Sequence, residues 1–345
     1  MSKAQKRLFS IPARDLDDIL RASAPDFEIQ RGKKIFLTGG TGFFGKWLLA
    51  ALIRANEEMD LRFEIVALSR DPNAFTTKHP GCEGVRGLSF LRGNVADFAA
   101  GDEKFDFIIH GAADTTAFTN DSEERERSRT IVQGTQNVLG LARKNNARLL
   151  NISSGAVYGA AAGKREGASE TDYDAARPAT PYGLAKRQAE ALCAESGADF
   201  VTARAFAFLG PHLPLDAHFA AGNFLRDARR GGPILVRGDG TALRSYLYPV
   251  DLVQWLLRLL VRGARGRAYN VGSDEVVSIA ELARLIGGVA EPKADVVIQS
   301  ALPQGPLNVY VPNLSRARTE LGLDVTVPLR DAVARTFNFL RENAG

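Results

Sequence analysis

The chain has 345 residues, of which 45% are hydrophobic, and a formal net charge of +4 from 44 basic and 40 acidic residues. This length is enough for one large or two modest hydrophobic cores. Such a small charge excess, spread along the chain, argues against a dedicated nucleic-acid-binding protein.

Targeting and metal-binding signals are missing from the sequence. The N-terminal stretch MSKAQKRLFS lacks the apolar segment of a signal peptide, and the longest apolar helical run, residues 252–261, is too short and polar to span a bilayer. Cys82 and Cys193 lie far apart and fit no metal-binding spacing. We therefore expect a cytoplasmic protein with free thiols, no metal site and no membrane or nucleic-acid partner.

Residues 1–32 are expected to form a helical N-terminal extension. In the stretch PARDLDDILRA, Leu16, Ile19 and Leu20 share one helical face. We expect this face to pack on the body of the protein or on a partner subunit.

From Lys33 onward, apolar strands alternate with helices. The strands are KKIFLT, FEIVALS, LSFLRG, FDFIIHGAA and ARLLNIS, and the helices include FFGKWLLAALIRA and residues 122–145. This alternation predicts an α/β fold, a Rossmann-type doubly wound parallel sheet over residues 33–205. A smaller C-terminal α/β substrate-binding domain is expected over residues 206–345, with some segments returning to the first domain. Ligands should bind outside the carboxyl ends of the strands.

The sequence TGGTGFFG, from Thr38 to Gly45, directly follows a strand and opens a helix, as a dinucleotide-binding loop requires. Gly39 permits the tight turn, Gly42 lets the backbone approach a pyrophosphate, and Gly45 permits close helix–strand packing. A glycine-rich turn without a ligand is the alternative. The residues expected against the cofactor here are Gly39, Thr41, Gly42, Phe43, Phe44 and Gly45.

The end of the second strand bears on the choice between NAD and NADP. An acidic residue there binds the ribose 2′-hydroxyl of NAD, whereas an arginine accommodates the 2′-phosphate of NADP. The sequence VALSRDP places Ser69 at the acidic position, followed by Arg70. This favours NADP slightly, although Asp71 could compete, and Arg70 could be a solvated surface residue.

Tyr182 and Lys186, in TPYGLAKRQAE, are four residues apart at the start of a helix and so share one face. A nearby ammonium favours the phenolate and brings a tyrosine into the working range of a base. Ser154, at the end of the strand LLNIS, could bind the same substrate oxygen. The alternative is a tyrosine packed on the sheet and a lysine in solvent.

Together these motifs resemble the extended short-chain dehydrogenases/reductases, in particular the NAD-dependent nucleotide-sugar epimerase/dehydratase family. The resemblance rests on TGGTGFFG, HGAA at 110–113, SSGAVYG at 153–159 and YGLAK at 182–186, and covers about residues 33–340. It implies a nucleotide-diphospho-sugar substrate and a homodimer formed by helices at 122–145 and 181–196.

The resemblance implies three catalytic residues. Ser154 would bind the sugar oxygen, Tyr182 would be the acid/base, and Lys186 would bind the nicotinamide ribose and tune Tyr182. Further cofactor contacts would come from Ser69, Arg70, Asn94, Val95, Ala112, Ala113, Ile152 and Phe206, besides Tyr182 and Lys186. The substrate would meet Thr115, Asn223, Phe224 and Arg244, besides Ser154 and Tyr182. Arg244 would grip the diphosphate, unless it forms a structural ion pair.

Three positions depart from the family pattern. Ala207 and Ile131 stand where many members have an asparagine, and PQGPL at 303–307 lacks a common aspartate. His212 and His218 are possible substitutes for the lost phosphate and ribose contacts, or simply surface histidines.

Ser154-Gly155-Ala156 occupies the place of the Thr-Asp-Glu found in 4,6-dehydratases of this family. Glycine and alanine cannot take or give the protons that an elimination of water requires. We therefore expect hydride transfer at sugar C4, by a 4-epimerase or a 4-keto reductase in surface-polysaccharide or deoxysugar synthesis. The alternatives are a dehydratase or decarboxylase that recruits His218 or Asp114, and a non-catalytic NAD(P)-binding sensor.

Overall fold

The computed structural model describes residues 8–113, 121–159, 164, 166–178, 180–217, 219–300 and 307–343. Three residues that the sequence singled out, Asp114, Thr115 and His218, lie outside these ranges.

The described residues form twelve strands, most of which are short and apolar. They are β1 Lys34–Thr38, β2 Glu64–Ser69, β3 Leu88–Arg92, β4 Phe107–His110, β5 Arg148–Ser154, β6 Phe200–Ala205, β7 Ile234–Val236, β8 Leu243–Arg244, β9 Ala268–Val271, β10 Val277–Ser278, β11 Val296–Ile298 and β12 Val309–Tyr310. Seven of them form one parallel sheet in the order β3-β2-β1-β4-β5-β6-β9.

Ten α-helices accompany the strands in the described residues. They are α1 Ala13–Ile29, α2 Phe43–Met59, α3 Pro72–Lys78, α4 Asp121–Asn145, α5 Pro181–Glu195, α6 Ala220–Arg229, α7 Pro249–Arg262, α8 Ile279–Val289, α9 Ser315–Leu321 and α10 Leu329–Glu342. None of the helices in these ranges is long and apolar enough to cross a bilayer.

Helices cover both faces of the central sheet, which confirms the predicted doubly wound α/β fold. Helices α1, α2 and α7 pack together on one side, and α4 packs with α5 on the other. Strands β1 and β4 are almost wholly buried because both of their faces meet helices. The strand order reverses between β1 and β4, and the carboxyl ends of these strands therefore flank a ligand-binding crevice.

Smaller structures follow the sixth strand. Strands β10, β8 and β12 form a three-stranded sheet, and β11 pairs with β7 in a second, two-stranded sheet. The chain then returns to the central sheet, because β9 pairs with β6 and α7 packs on β5 and β6.

Helix α1 lies on the body of this subunit, against α2 and α7. The amphipathic face of α1 explains only part of this packing. Two buried carboxylates of the helix also bind side chains of the body. Asp26 accepts hydrogen bonds of 2.5 Å from both Arg258 and Arg262 of α7. Asp15 accepts from Tyr248 at 2.6 Å and from Arg335 at 2.7 Å.

Replacing Asp26 should test how firmly this helix is attached. Asp26→Ala removes a buried carboxylate and leaves two partly exposed arginines without their counter-charge, and hydrogen bonds to charged groups contribute about 1.5–3 kcal/mol. We expect the free energy of unfolding, measured by denaturant titration, to fall by about that amount. Glu28→Ala removes an exposed carboxylate of the same helix, paired only with Arg31, and should leave stability nearly unchanged. Equal effects of the two substitutions would contradict this account.

Candidate active site

The glycine loop between β1 and α2 has the shape that a dinucleotide requires. Gly39 adopts a φ of 77°, and a Cβ there would lie 2.7 Å from the backbone of Gly111. A Cβ on Gly45 would lie 2.2 Å from the carbonyl oxygen of Gly39. No side chain caps the N-terminus of α2 at Gly42, and the first amide groups of the helix are therefore available to an anion. These residues fit a pyrophosphate at the helix N-terminus.

The predicted residues beside these glycines have different surroundings. Thr41 is only partly buried in the loop, and Phe43 contacts Phe44. The Phe44 ring meets the ring of Phe208 edge-on, at 4.7 Å between centroids. Phe44 thereby ties the loop to the segment that follows β6.

A buried polar chain supports the floor of the cofactor crevice. The Thr38 hydroxyl accepts from the Ala112 amide at 3.1 Å and contacts His110 Nδ1 at 2.9 Å. The other ring nitrogen of His110 lies 3.2 Å from the Thr135 hydroxyl on α4. Burial lowers the pKa of His110 to about 3, which keeps the imidazole neutral at physiological pH. Sequence reasoning singled out Ala112 but missed this series of hydrogen bonds, for which the only signal was the polar residue that ends each of two buried strands.

A side chain of α4 holds the segment that carries the predicted cofactor residues Asn94 and Val95. Asn94 Oδ1 accepts from the amide of Ala96 at 3.1 Å, and the same oxygen retains a second lone pair for a ligand. Asn137 Nδ2 donates to the carbonyls of Val95 and Phe98 at 3.3 and 3.1 Å. Asn137 was missed because nothing in its helical sequence distinguishes it.

The end of β2 leaves an arginine available at the expected place. Asp71 caps α3 by accepting from the amide of Ala74 at 3.1 Å, which engages one of its carboxylate oxygens. Ser69 is buried. Arg70 is exposed and forms no hydrogen bond or ion pair with another described residue. Arg92, also exposed, lies opposite Ser69 on β3.

The three predicted catalytic side chains converge at the carboxyl end of β5. Helix α5 begins at a Thr180 cap and brings Tyr182 close enough to Ser154 for the serine to lower the pKa of the phenol. Lys186, one turn further on, is buried, and its Nζ donates to the Ile152 carbonyl at 2.8 Å. The same Nζ lies 6.0 Å from the centroid of the Tyr182 ring. Because one ammonium thus reaches both β5 and Tyr182, the lysine is not the solvated residue of the alternative interpretation.

Burial sets the electrostatics of these groups. Desolvation lowers the pKa of Lys186 to about 8, although the nearby carboxylate of Glu190 opposes the shift. Desolvation raises the pKa of Tyr182, and its hydrogen bond with Ser154 opposes this. The phenol is therefore neutral unless further positive charge approaches it, as a nicotinamide ring would supply.

A second buried layer, missed by sequence reasoning, lies beneath these residues. Glu190 forms an ion pair with Arg204 at 2.8 Å and accepts from the Ser153 hydroxyl at 2.5 Å. Arg204 also donates to the Tyr158 hydroxyl at 2.9 Å. The two adjacent serines thus have separate partners, since Ser153 bonds to Glu190 and Ser154 meets Tyr182. The spacing Tyr-x3-Lys-x3-Glu was the available signal for Glu190.

Two of the predicted substrate residues line a cavity outside the central sheet, and a third, Arg244, lies on β8. Asn223 and Phe224, on α6, line a cavity of about 420 Å³ together with residues 235–240. On β8, Arg244 donates to the carbonyls of Leu243 and Asn308, at 2.8 and 3.2 Å. No carboxylate in the described ranges pairs with Arg244, and burial lowers its pKa. A desolvated guanidinium without a counter-charge suits an anionic ligand better than the structural ion pair considered above.

The departures from the family pattern have structural consequences. His212 bonds through Nε2 to the Phe9 carbonyl at 2.5 Å, which joins it to the N-terminal segment rather than leaving it as a surface histidine. Ile131 is buried in a cluster against which Ala113 and Tyr182 pack. Phe206, predicted to meet the cofactor, is buried against Tyr158 and Tyr310, and Ala207 accepts from the amide of Leu247.

Comparisons with known proteins agree with this geometry. Residues 35–272 match the model of the NAD-dependent epimerase/dehydratase family. UDP-glucuronic acid decarboxylase 6 of Arabidopsis thaliana is 28% identical over 316 residues, 88% of each chain. UDP-glucuronic acid decarboxylase 1 of Xenopus tropicalis is 27% identical over 320 residues, 90% of this chain and 72% of that protein.

Solved structures share the fold. An epimerase from Methanothermobacter thermautotrophicus superimposes with a TM-score of 0.76 at 22% identity, covering 94% of this chain and 97% of its own. A dTDP-glucose 4,6-dehydratase from Streptomyces venezuelae, solved with NAD bound, gives 0.76 at 23% identity, covering 90% and 98%. Because the family model matches well over half of its length, this chain belongs to the NAD-dependent epimerase/dehydratase family.

Proposed function

We propose that the protein is an NAD(P)-dependent enzyme that transfers a hydride at C4 of a nucleotide-diphospho-sugar. The observation that carries the proposal is the convergence of Ser154, Tyr182 and Lys186 beside the glycine loop. Gly155 and Ala156 follow directly and supply neither an acid nor a base. The site is therefore equipped for chemistry at one carbinol carbon.

Each of the three residues has a separate proposed role at that carbon. Tyr182 accepts the proton of the C4 hydroxyl, Lys186 stabilises the phenolate, and Ser154 binds the sugar oxygen. When bound, a nicotinamide would accept the hydride in the oxidation direction and donate it in the reduction direction. We propose that Arg244 holds the diphosphate and that Asn223, which lines the cavity beside α6, contributes a further contact. Productive geometry at C4 depends on these remote contacts.

The residues present are sufficient for a 4-epimerase or a 4-keto reductase. Return of the hydride to the opposite face of the keto sugar gives the epimer, and a single delivery to a 4-keto sugar gives the alcohol. Both use Tyr182 alone as acid and base. Elimination of water from C5 and C6 would need further groups, which positions 155 and 156 lack.

Decarboxylation of a nucleotide-hexuronic acid is the second candidate, and the names of the curated relatives favour it over the first. Oxidation at C4 would pass a hydride to the nicotinamide and turn such a sugar into a β-keto acid, which loses CO2 to leave an enolate. The enolate would take a proton from water at C5, and the hydride would return to C4 of the resulting keto pentose. No hydroxyl has to be expelled, and Gly155 and Ala156 therefore do not oppose this route as they oppose dehydration.

Product analysis should separate these reactions. We expect turnover of a UDP-hexose to its 4-epimer, or of UDP-glucuronic acid with release of CO2, followed by NMR and mass spectrometry. Tyr182→Phe should lower kcat by about 10²–10⁴-fold while cofactor binding is retained, because it removes only the acid/base. Tyr173→Phe, outside the proposed trio, is the matched control. Near-normal turnover by Tyr182→Phe would overturn the mechanism, and no turnover of any nucleotide sugar would favour the sensor alternative.

We propose that NADP is preferred to NAD, with Arg70 at the 2′-phosphate. Arg70→Leu should weaken NADP about 10- to 100-fold and leave NAD unchanged, because charged hydrogen bonds contribute about 1.5–3 kcal/mol. Calorimetric titration of both cofactors measures the change, and Arg86→Leu, which alters an arginine before β3 at the opposite end of the strands, is the control. Equal weakening of both cofactors would exclude a 2′-phosphate contact.

We further propose a homodimer through α4 and α5. These helices border an open groove of about 680 Å³, and the Leu184 side chain beside it is 55% exposed. Leu184→Glu should shift the protein toward monomer in light scattering, because a charge would be buried at the centre of the interface. Val276→Glu, which alters an exposed residue elsewhere, should not do so. A monomeric wild-type protein would disprove this interface.

A further inference from the structure

Tyr310 reaches the active site from the far end of the chain. It ends β12, which runs parallel to β8 with Tyr310 opposite Arg244. Its hydroxyl lies 3.4 Å from Ser154 Oγ, and hydrogen bonds in an unliganded site commonly tighten when substrate binds. Sequence reasoning did not single out this tyrosine, because 156 residues separate it from Ser154.

Gly155 is what allows this approach. A Cβ at position 155 would lie 2.8 Å from the Tyr310 hydroxyl oxygen and 2.8 Å from the ring of Phe206. The Phe206 and Tyr310 rings themselves pack at 4.8 Å between centroids. Gly155, which supplies no acid where the dehydratases have one, thus also leaves room for the Tyr310 hydroxyl beside Ser154.

The hydrogen bonds of Ser154 can be counted. A serine hydroxyl has one proton to donate and two lone pairs to accept with. The amide of Ala156 donates to one lone pair at 3.2 Å. Tyr310 is a neutral phenol, since burial raises its pKa well above the ordinary value. A bond donated by Tyr310 would fill the second lone pair and leave the Ser154 proton free for the substrate side of the site, where Ser154 lowers the pKa of Tyr182.

We propose that Tyr310 is a positioning residue whose hydroxyl donates to Ser154 and thereby directs the Ser154 proton toward Tyr182 and the sugar oxygen. The inference rests on the proposed function for its effect on turnover. Its effect on Tyr182 does not depend on the identity of the sugar.

Tyr310→Phe is the test, because it removes the hydroxyl and keeps the ring that packs on Phe206. We expect kcat to fall about tenfold with KM within about twofold, the size expected for one hydrogen bond. A weaker Ser154 donor raises the pKa of Tyr182, and the rise of kcat/KM with pH should move to higher pH. Tyr269→Phe, whose hydroxyl bonds to Glu320, is the control and should change neither quantity.

A double-mutant cycle with Ser154→Ala separates positioning from packing. If Tyr310 acts through Ser154, Tyr310→Phe should have almost no further effect in the Ser154→Ala background. Multiplicative losses, or a wild-type pH profile for Tyr310→Phe, would overturn the proposal.

An ultraviolet difference titration of tyrosine ionisation gives a readout without substrate. The Tyr182 signal, identified by its loss in Tyr182→Phe, should titrate at higher pH in Tyr310→Phe than in the wild-type protein. An unchanged titration would overturn the positioning role even if no sugar is turned over. Absent turnover with a shifted titration would instead count against the proposed function alone.

Discussion

The hydrogen bond from the Lys186 ammonium to the Ile152 carbonyl is the interaction on which the site depends. It joins α5 to the carboxyl-terminal part of β5, so that Tyr182 comes to lie beside Ser154. A buried ammonium is tolerated only when its donors find acceptors. In the proposed mechanism the charge that fixes the helix also stabilises the phenolate, so that one side chain sets both the position and the reactivity of Tyr182.

Two opposing effects act on the pKa of Lys186. Burial favours the neutral amine and lowers its pKa to about 8, while Glu190 favours the ammonium. Glu190 cannot act as a free carboxylate, because Arg204 pairs with it and Ser153 donates to it. Glu190 and its partners thus limit changes in the charge of Lys186. The hydrogen bond to Glu190 also keeps the Ser153 hydroxyl from the role proposed for Ser154.

The residues around Ser154 limit which reaction the proposed site can perform. The proposed trio of Ser154, Tyr182 and Lys186 does not, because several reactions of the family can use it. Gly155 and Ala156 remove the groups needed to expel water. The space at Gly155 is filled by Phe206 and Tyr310, and an added side chain there would meet both. The chemistry proposed above is therefore hydride transfer at C4, and in an oxidised substrate the substituent on C5 would decide whether CO2 is also lost.

Local sequence determined the parts that depend on neighbours in the chain. Strand–turn–helix alternation predicted the doubly wound sheet, the glycine spacing predicted the turn before α2, and the four-residue spacing placed Tyr182 and Lys186 on one face of α5. Periodicity and turn geometry are local properties, which is why these predictions agree with the structure. Tertiary structure alone decided the contacts between distant segments: Tyr310 at Ser154, Arg258 and Arg262 around Asp26, and His212 at the Phe9 carbonyl. No local pattern encodes these pairs, because each depends on which strand ends and helix faces the fold brings within a few ångströms of one another.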